Sequence, residues 1–248
     1  MTNSYNLSPN KHPKLVIIHG LNNNLSGFDP MKLHYENLGF ECETIVLPGH
    51  GEDRTEARDF KTAFRYFDQR MKAAVVEPYV VIAFSQGALY FQLWLEKNQG
   101  PKPLAQVLLA PALFIHRYKM IEKVLKFLPS FLPIPSGSPR KIRRYPALLV
   151  REYRTLLEGI KTYQSLKVPF RVPTYVVIDP KDELVAAEIL KKEALATQSS
   201  ELTVDFEERG YLKNHIGHHH ILFHPEYFEK EQWVQFSGRI ATFLKKYY

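Results

Sequence analysis

Cysteine is nearly absent: Cys42 is the only one in 248 residues, so no intrachain disulfide can form and nothing points to an oxidising compartment. Cys42 lies inside the apolar run ECETIVLP and reads as a packed strand thiol rather than a nucleophile. Long hydrophobic runs are missing too. No segment approaches the roughly 18 uninterrupted apolar residues of a membrane span, and the opening MTNSYNLSPNKHPK holds no apolar core for a secretory signal. The expectation is a soluble, unexported, cytoplasmic protein. Internal repeats, low-complexity tracts, an HExxH pattern and cysteine pairs are also lacking.

What is present is an ordinary globular composition, 45% hydrophobic and 24% charged, at a length that suits one α/β domain spanning residues 1–248. Short β-branched apolar runs alternate with helix-period segments, the pattern of buried parallel strands joined by helical crossovers. Strands are expected at 14–20, 42–48, 79–84, 105–111, 174–179 and 202–208. Helices are expected at about 29–38, 55–74, 86–98, 185–198 and 229–246. In the last of these, Trp233, Phe236, Ile240 and Phe243 share one face that should pack on the sheet.

Residues 112–173 break the rhythm, because they separate two strands by far more than the usual connection. They read as an inserted cap. Within them YKMIEKVLKFL is amphipathic, FLPSFLPIPSGSP is punctuated by proline, and YPALLVREYRTLLEGIKTYQSL resumes helix periodicity.

Ser85 sits in VVIAFSQGALY, just after a strand and just before a helical pattern. A serine at such a turn points out of the carboxyl edge of the sheet, and small residues two positions either side let the backbone make the bend. Ala83 and Gly87 take those positions; alanine departs from the strict glycine pattern. The N–H of Gln86, at the helix start, can face a developing oxyanion. The plainer alternative is a helix N-cap. Upstream, KLVIIHGLNNN ends a strand in His19-Gly20 and makes the Leu21 N–H the natural second oxyanion donor. His19 reads as structural, pinning this loop, and Asn22, Asn23 and Asn24 as turn residues.

In VPTYVVIDPKDELV, Asp182 follows a strand end and precedes a helix, where a carboxylate can hold a histidine in one tautomer. Asp179 is the competing candidate and reads instead as the start of the turn. Downstream, GYLKNHIGHHHILFHPEYF contains His215, His218, His219, His220 and His224. A serine nucleophile needs a base that titrates near neutrality, and histidine is that side chain. A metal site built on these imidazoles is the rival reading.

The segments HGLNNN, LPGHGED, AFSQGA, IDPKDELV and GHHHILFHPEYF, in this order, resemble the α/β-hydrolase family from about Lys14 to the end of the chain. The resemblance is nearest to esterases and to lipases of monoacylglycerols or lysolipids. It implies the triad order serine, aspartate, histidine. Its His-loop spacing, Gly217-His218 followed by Pro225-Glu226, selects His218 as general base, with His219 the alternative one residue on. It also implies a minimal core of about six strands, flanked by helices and without the usual antiparallel N-terminal pair. The activity implied is acyl transfer to Ser85 and then to water, with no cofactor and no metal.

In related proteins an insert at this place shapes the acyl pocket, and here it is apolar and basic. Thirteen lysines and arginines face three acids in residues 112–173, so the insert carries +10 of a chain whose net charge is +7. The expected partners are a small, lipid-like ester and, through the basic cap, an anionic membrane surface. A solvated helical face is the plainer reading of the charge. No nucleic-acid motif accompanies it. Amidase, thioesterase and carbon–carbon hydrolase chemistry share this type of site, and a catalytically silent binding protein is the non-enzymatic alternative.

Overall fold

The structure, a computed structural model, describes residues 12–75, 78–97, 100–167, 170–199, 202–213 and 218–248. In chain order its elements begin with β1 (Lys14–Ile18), α1 (Asp29–Asn37), β2 (Cys42–Ile45), α2 (Phe60–Ala74), β3 (Tyr79–Phe84), α3 (Gln86–Lys97) and β4 (Gln106–Leu109). Next come α4 (Tyr118–Phe127), β5 (Pro133–Pro135), β6 (Ala147–Leu149), α5 (Val150–Leu166), β7 (Thr174–Ile178), α6 (Ala187–Ala196), β8 (Val204–Glu208) and α7 (Lys230–Lys245).

Six of the strands form one sheet in the order β2-β1-β3-β4-β7-β8, and every neighbouring pair is parallel. A parallel sheet needs crossovers that cover both faces, so its central strands are apolar without alternation. Accordingly β3, YVVIAF, and β4, QVLL, are buried at every position. α3 is buried from Gln86 through Leu95, because α2 and α5 both pack on it. α7 closes the molecule through Phe236, Ile240, Phe243 and Leu244.

Strand order reverses beside β1: the chain steps from β1 to β2 on one side and to β3 on the other. The loops leaving β1 and β3 therefore diverge at the carboxyl edge and open a crevice between them, the usual place for a ligand in such sheets.

The interval between β4 and β7 contains α4, an antiparallel β5–β6 pair and α5. One expectation changes here. The helix read across YPALLVREY starts only at Val150, and Ala147–Leu149 is a strand. Ala147–Leu149 pairs antiparallel with Pro133–Pro135, and the Glu152 carboxylate accepts the Leu149 N–H at 2.6 Å, fixing the helix start. Part of the interval also packs on the core. α5 buries Val150, Leu157, Ile160 and Tyr163, and at Gly159 an added Cβ would lie 3.1 Å from Leu89 and Phe60 side-chain atoms.

Candidate active site

Ser85 lies between the last residue of β3 and the first of α3, with φ at +51°. A non-glycine residue in that region is strained, and strain of this kind persists where surrounding structure over-determines it. The constraints are visible. The Ser85 N–H donates to Leu109 O at 3.0 Å, and the Ser85 carbonyl accepts the N–H groups of Leu89 and Ala112, both at 3.2 Å. Gly87 is required because a Cβ there would stand 2.3 Å from the His19 carbonyl oxygen and 2.7 Å from Ile18 Cγ2.

Asp182 is buried in the turn after β7, and that turn is started by Asp179, whose carbonyl accepts the Asp182 N–H at 2.9 Å. One Asp182 oxygen, Oδ1, accepts the N–H groups of Leu184 and Val185, both at 2.8 Å. The other faces a histidine. Burial works against the Asp182 charge, but the nearby His220 and these hydrogen bonds hold the carboxyl below the ordinary carboxylate range.

That histidine is His220, not His218. His220 Nδ1 is 2.8 Å from Asp182 Oδ2 and His220 Nε2 is 2.8 Å from Ser85 Oγ. A carboxylate only accepts, so Nδ1 carries the proton and Nε2 is free to accept from the serine hydroxyl. The physical reason for the correction lies in the apolar residues just beyond the histidines. Ile221, Leu222 and Phe223 are buried, and Phe223 stacks on Phe28 at 4.0 Å between ring centroids. This apolar anchor places the residue immediately before it against Ser85. Phe84, at 5.0 Å, backs the His220 ring.

The other histidines go elsewhere. His218, half-buried, lines the pocket that Ser85, Asp182 and His220 also line. His219 turns to Asp179, with Nδ1 3.3 Å from Oδ1. His224 accepts the Glu226 N–H at 3.3 Å. His215 and Gly217 lie outside the described residues. Among the described residues no group of three or more histidine, cysteine or acidic side chains is placed to hold a metal ion.

The loop after β1 is held by two neutral histidines. The Leu47 N–H donates to His19 Nε2 at 2.9 Å, and His19 Nδ1 donates to Gly20 O at 2.8 Å. The Asn22 N–H donates to His50 Nε2 at 2.7 Å, and His50 Nδ1 donates to Pro48 O. Burial, then the neighbouring His50, pushes His19 down to about 3; burial pushes His50 down to about 4.

Asn23 behaves as a turn residue, its Oδ1 accepting the Gly20 N–H at 3.0 Å. Asn22 and Asn24 do more than turn. Asn22, with φ at +57°, donates its amide to Ser136 Oγ at 2.8 Å and to Tyr145 O at 2.9 Å, and accepts the Tyr145 N–H at 2.8 Å. Its carbonyl accepts the Arg144 N–H, and Asn24 pairs with the backbone of Lys141 and Ile142. Residues 136–145 of the insert are thus clasped to the loop that carries Leu21. The asparagine run was legible; its partners, more than 100 residues away, were not.

Leu21, Asn22, Ser85, Asp182 and His220 share one pocket of about 1020 Å³, whose remaining wall comes mostly from the insert, including Ile121, Leu125, Leu148 and Leu156.

The α/β-hydrolase family model matches residues 15–230. No curated protein sequence matches the chain. Among solved structures, a monoacylglycerol lipase from Paleococcus ferrophilus superposes with a TM-score of 0.70 at 16% identity, covering 96% of this chain and 97% of that one. A soluble variant of monoglyceride lipase from Saccharomyces cerevisiae, in complex with a substrate analog, gives 0.73 at 13% identity over 97% and 88%. An esterase from Exiguobacterium antarcticum gives 0.60 at 14% identity over 95% and 93%. With the matched family model spanning the sheet, the serine turn and the histidine loop, the chain belongs to the α/β-hydrolase family.

Proposed function

We propose that the protein is a serine hydrolase that cleaves carboxylic esters bearing a hydrophobic acyl chain. Ser85 is the nucleophile, His220 the general base and Asp182 the residue that orients it. The observation that carries this reading is the unbroken line of two 2.8 Å hydrogen bonds from Asp182 through His220 to Ser85.

In this reading His220 Nε2 takes the Ser85 proton as Oγ attacks the acyl carbonyl, and Asp182 stabilises the imidazolium that forms. The N–H groups of Leu21 and Gln86 receive the oxyanion. Gln86 opens α3, where first-turn N–H groups have no acceptor within the helix, and Leu21 lines the pocket one residue beyond the buried Gly20. His220 then returns its proton to the leaving alkoxide and activates the water that hydrolyses the acyl-enzyme. Residues 112–173 act as the cap. Their aliphatic side chains at Ile121, Leu125, Leu148 and Leu156 form the acyl wall. No step requires a metal or an organic cofactor.

Fluorophosphonate labelling with peptide mass spectrometry, beside turnover of p-nitrophenyl esters of rising chain length, tests the reading. Adduct is expected on Ser85, and Ser85→Ala and His220→Ala should each lower kcat by about a thousandfold or more. His218→Ala should stay within about tenfold of the parent. Adduct on another residue, or a His218 variant more crippled than the His220 variant, would sink this assignment. Matched anilides and thioesters separate ester from amide and thioester cleavage.

A further inference from the structure

Eleven large hydrophobic side chains stand exposed among the described residues, and four of them fall within residues 120–131: Met120, Val124, Phe127 and Phe131. Phe127 at 77% and Phe131 at 72% are the most exposed of all. Of the other seven, Leu184, Ile189 and Leu195 fall within residues 184–195 and are less exposed, at 45–51%, while Leu25, Leu33, Leu166 and Val234 stand apart. A cluster such as that at 120–131 marks a contact surface.

Its arrangement on α4 is ordered. Met120, Val124 and Phe127, at spacings of four and three, form one stripe along the helix. About 100° to one side, at the same spacing, lie the exposed lysines Lys119, Lys123 and Lys126. About as far to the other side lie Ile121 and Leu125, which line the Ser85 pocket. Around the helix the sequence is therefore cations, exposed apolar stripe, pocket wall. Beside the stripe, a groove is lined by Lys119, Lys123, Lys126 and Lys161 against Glu122 and Glu158.

The corner after α4 is fixed rather than loose. The Arg154 guanidinium, from α5, donates to the carbonyls of Leu125 at 2.6 Å, Lys126 at 3.2 Å and Leu128 at 2.6 Å. It satisfies the end of α4 and holds the corner from which both phenyl rings project.

We propose that α4 and the corner at 127–131 dock on an anionic lipid surface. The stripe and the two phenylalanines enter the boundary between headgroups and acyl chains, and the lysines sit at the headgroups. Charge complementarity selects this occupant: the insert carries thirteen basic residues against three acidic ones, and basic residues beside an apolar helix face favour anionic bilayers. The docked face would be one stripe away from the pocket wall, giving an acyl chain a short route from bilayer to Ser85. That route rests on the ester-hydrolase reading; the docking does not.

Vesicle co-sedimentation of the full chain tests it, with phosphatidylcholine alone against equal parts phosphatidylcholine and phosphatidylglycerol. Partition onto the anionic vesicles should exceed that onto neutral ones by about tenfold or more, and high salt should weaken it. Phe127→Asp with Phe131→Asp, and separately Lys119→Glu with Lys123→Glu and Lys126→Glu, should each lower anionic partition about tenfold or more while leaving turnover of a short soluble ester unchanged. Ser85→Ala should bind as the parent does, so a failed catalytic reading would appear in turnover and not in partition. Equal partition onto both vesicle types, or variants that bind as well as the parent, would overturn the proposal. So would a lipid-free dimer in gel filtration that the phenylalanine variant dissolves, which would assign the stripe to a second copy of the chain.

Discussion

Replacing Asn22 by glycine would keep the backbone bend, since glycine adopts a φ of +57° without strain, and would remove only the side-chain clasp to Ser136 and Tyr145. Each such hydrogen bond contributes about 1 kcal/mol net, and the neighbour they steady is Leu21. The expected result for Asn22→Gly is a fall in kcat of about tenfold with KM little changed, measured on a soluble ester. Ser85 and Asp182 were legible because each is the right residue type at a strand-to-helix junction. The histidine was not. Spacing to Pro225-Glu226 favoured His218, whereas the deciding contact is the burial of Ile221, Leu222 and Phe223 beside Phe28 and Phe84. That contact joins segments distant in the chain, and no local pattern encodes it.

Beside the Asn22 clasp and the Arg171–Glu96 pair, the Arg54–Glu152 ion pair joins the insert to the core. Arg54 donates to both Glu152 oxygens at 2.7 Å and to Ala147 O at 2.9 Å, and its guanidinium lies 4.2 Å over the Tyr145 ring. Glu152 is buried and also fixes the start of α5. Arg54→Met would leave that carboxylate buried without its cation, at a cost of about 2–3 kcal/mol after allowing for the partial exposure of the arginine. A urea titration followed by far-ultraviolet circular dichroism should show the midpoint fall accordingly. At this scale the central strands could be read from apolar runs, because burial on both faces leaves a continuous signal, whereas the edge strands β2 and β8 are only partly buried. The β5–β6 pair could not be read. Its three-residue strands are too short for a period, and Ala147–Leu149 runs straight into the helical pattern of α5.

For the molecule as a whole, acid is the expected weakness. His19 and His50, ordinarily near 6.5, are pushed to about 3 and about 4 by burial, and each accepts a backbone N–H through its unprotonated nitrogen. An unfolded chain takes up these protons below about pH 6.5 while the fold refuses them. Their contribution is therefore complete above about 6.5 and lost as pH falls towards 4 and 3, with the depressed Asp182 adding a further loss at the lower end of that range. Urea midpoints should drop between about pH 7 and pH 5, and His50→Gln, which can still accept and donate, should flatten the drop. The Asn22 clasp has a different consequence at this scale. Doubling the length of a connection such as that between β4 and β7 costs only about 0.6 kcal/mol in closure entropy, so the sheet itself barely limits what is inserted there. A foreign insert, however, must bring its own acceptor and donor to one buried amide. The pocket wall can change as that segment is exchanged, provided the partner of a single asparagine travels with it.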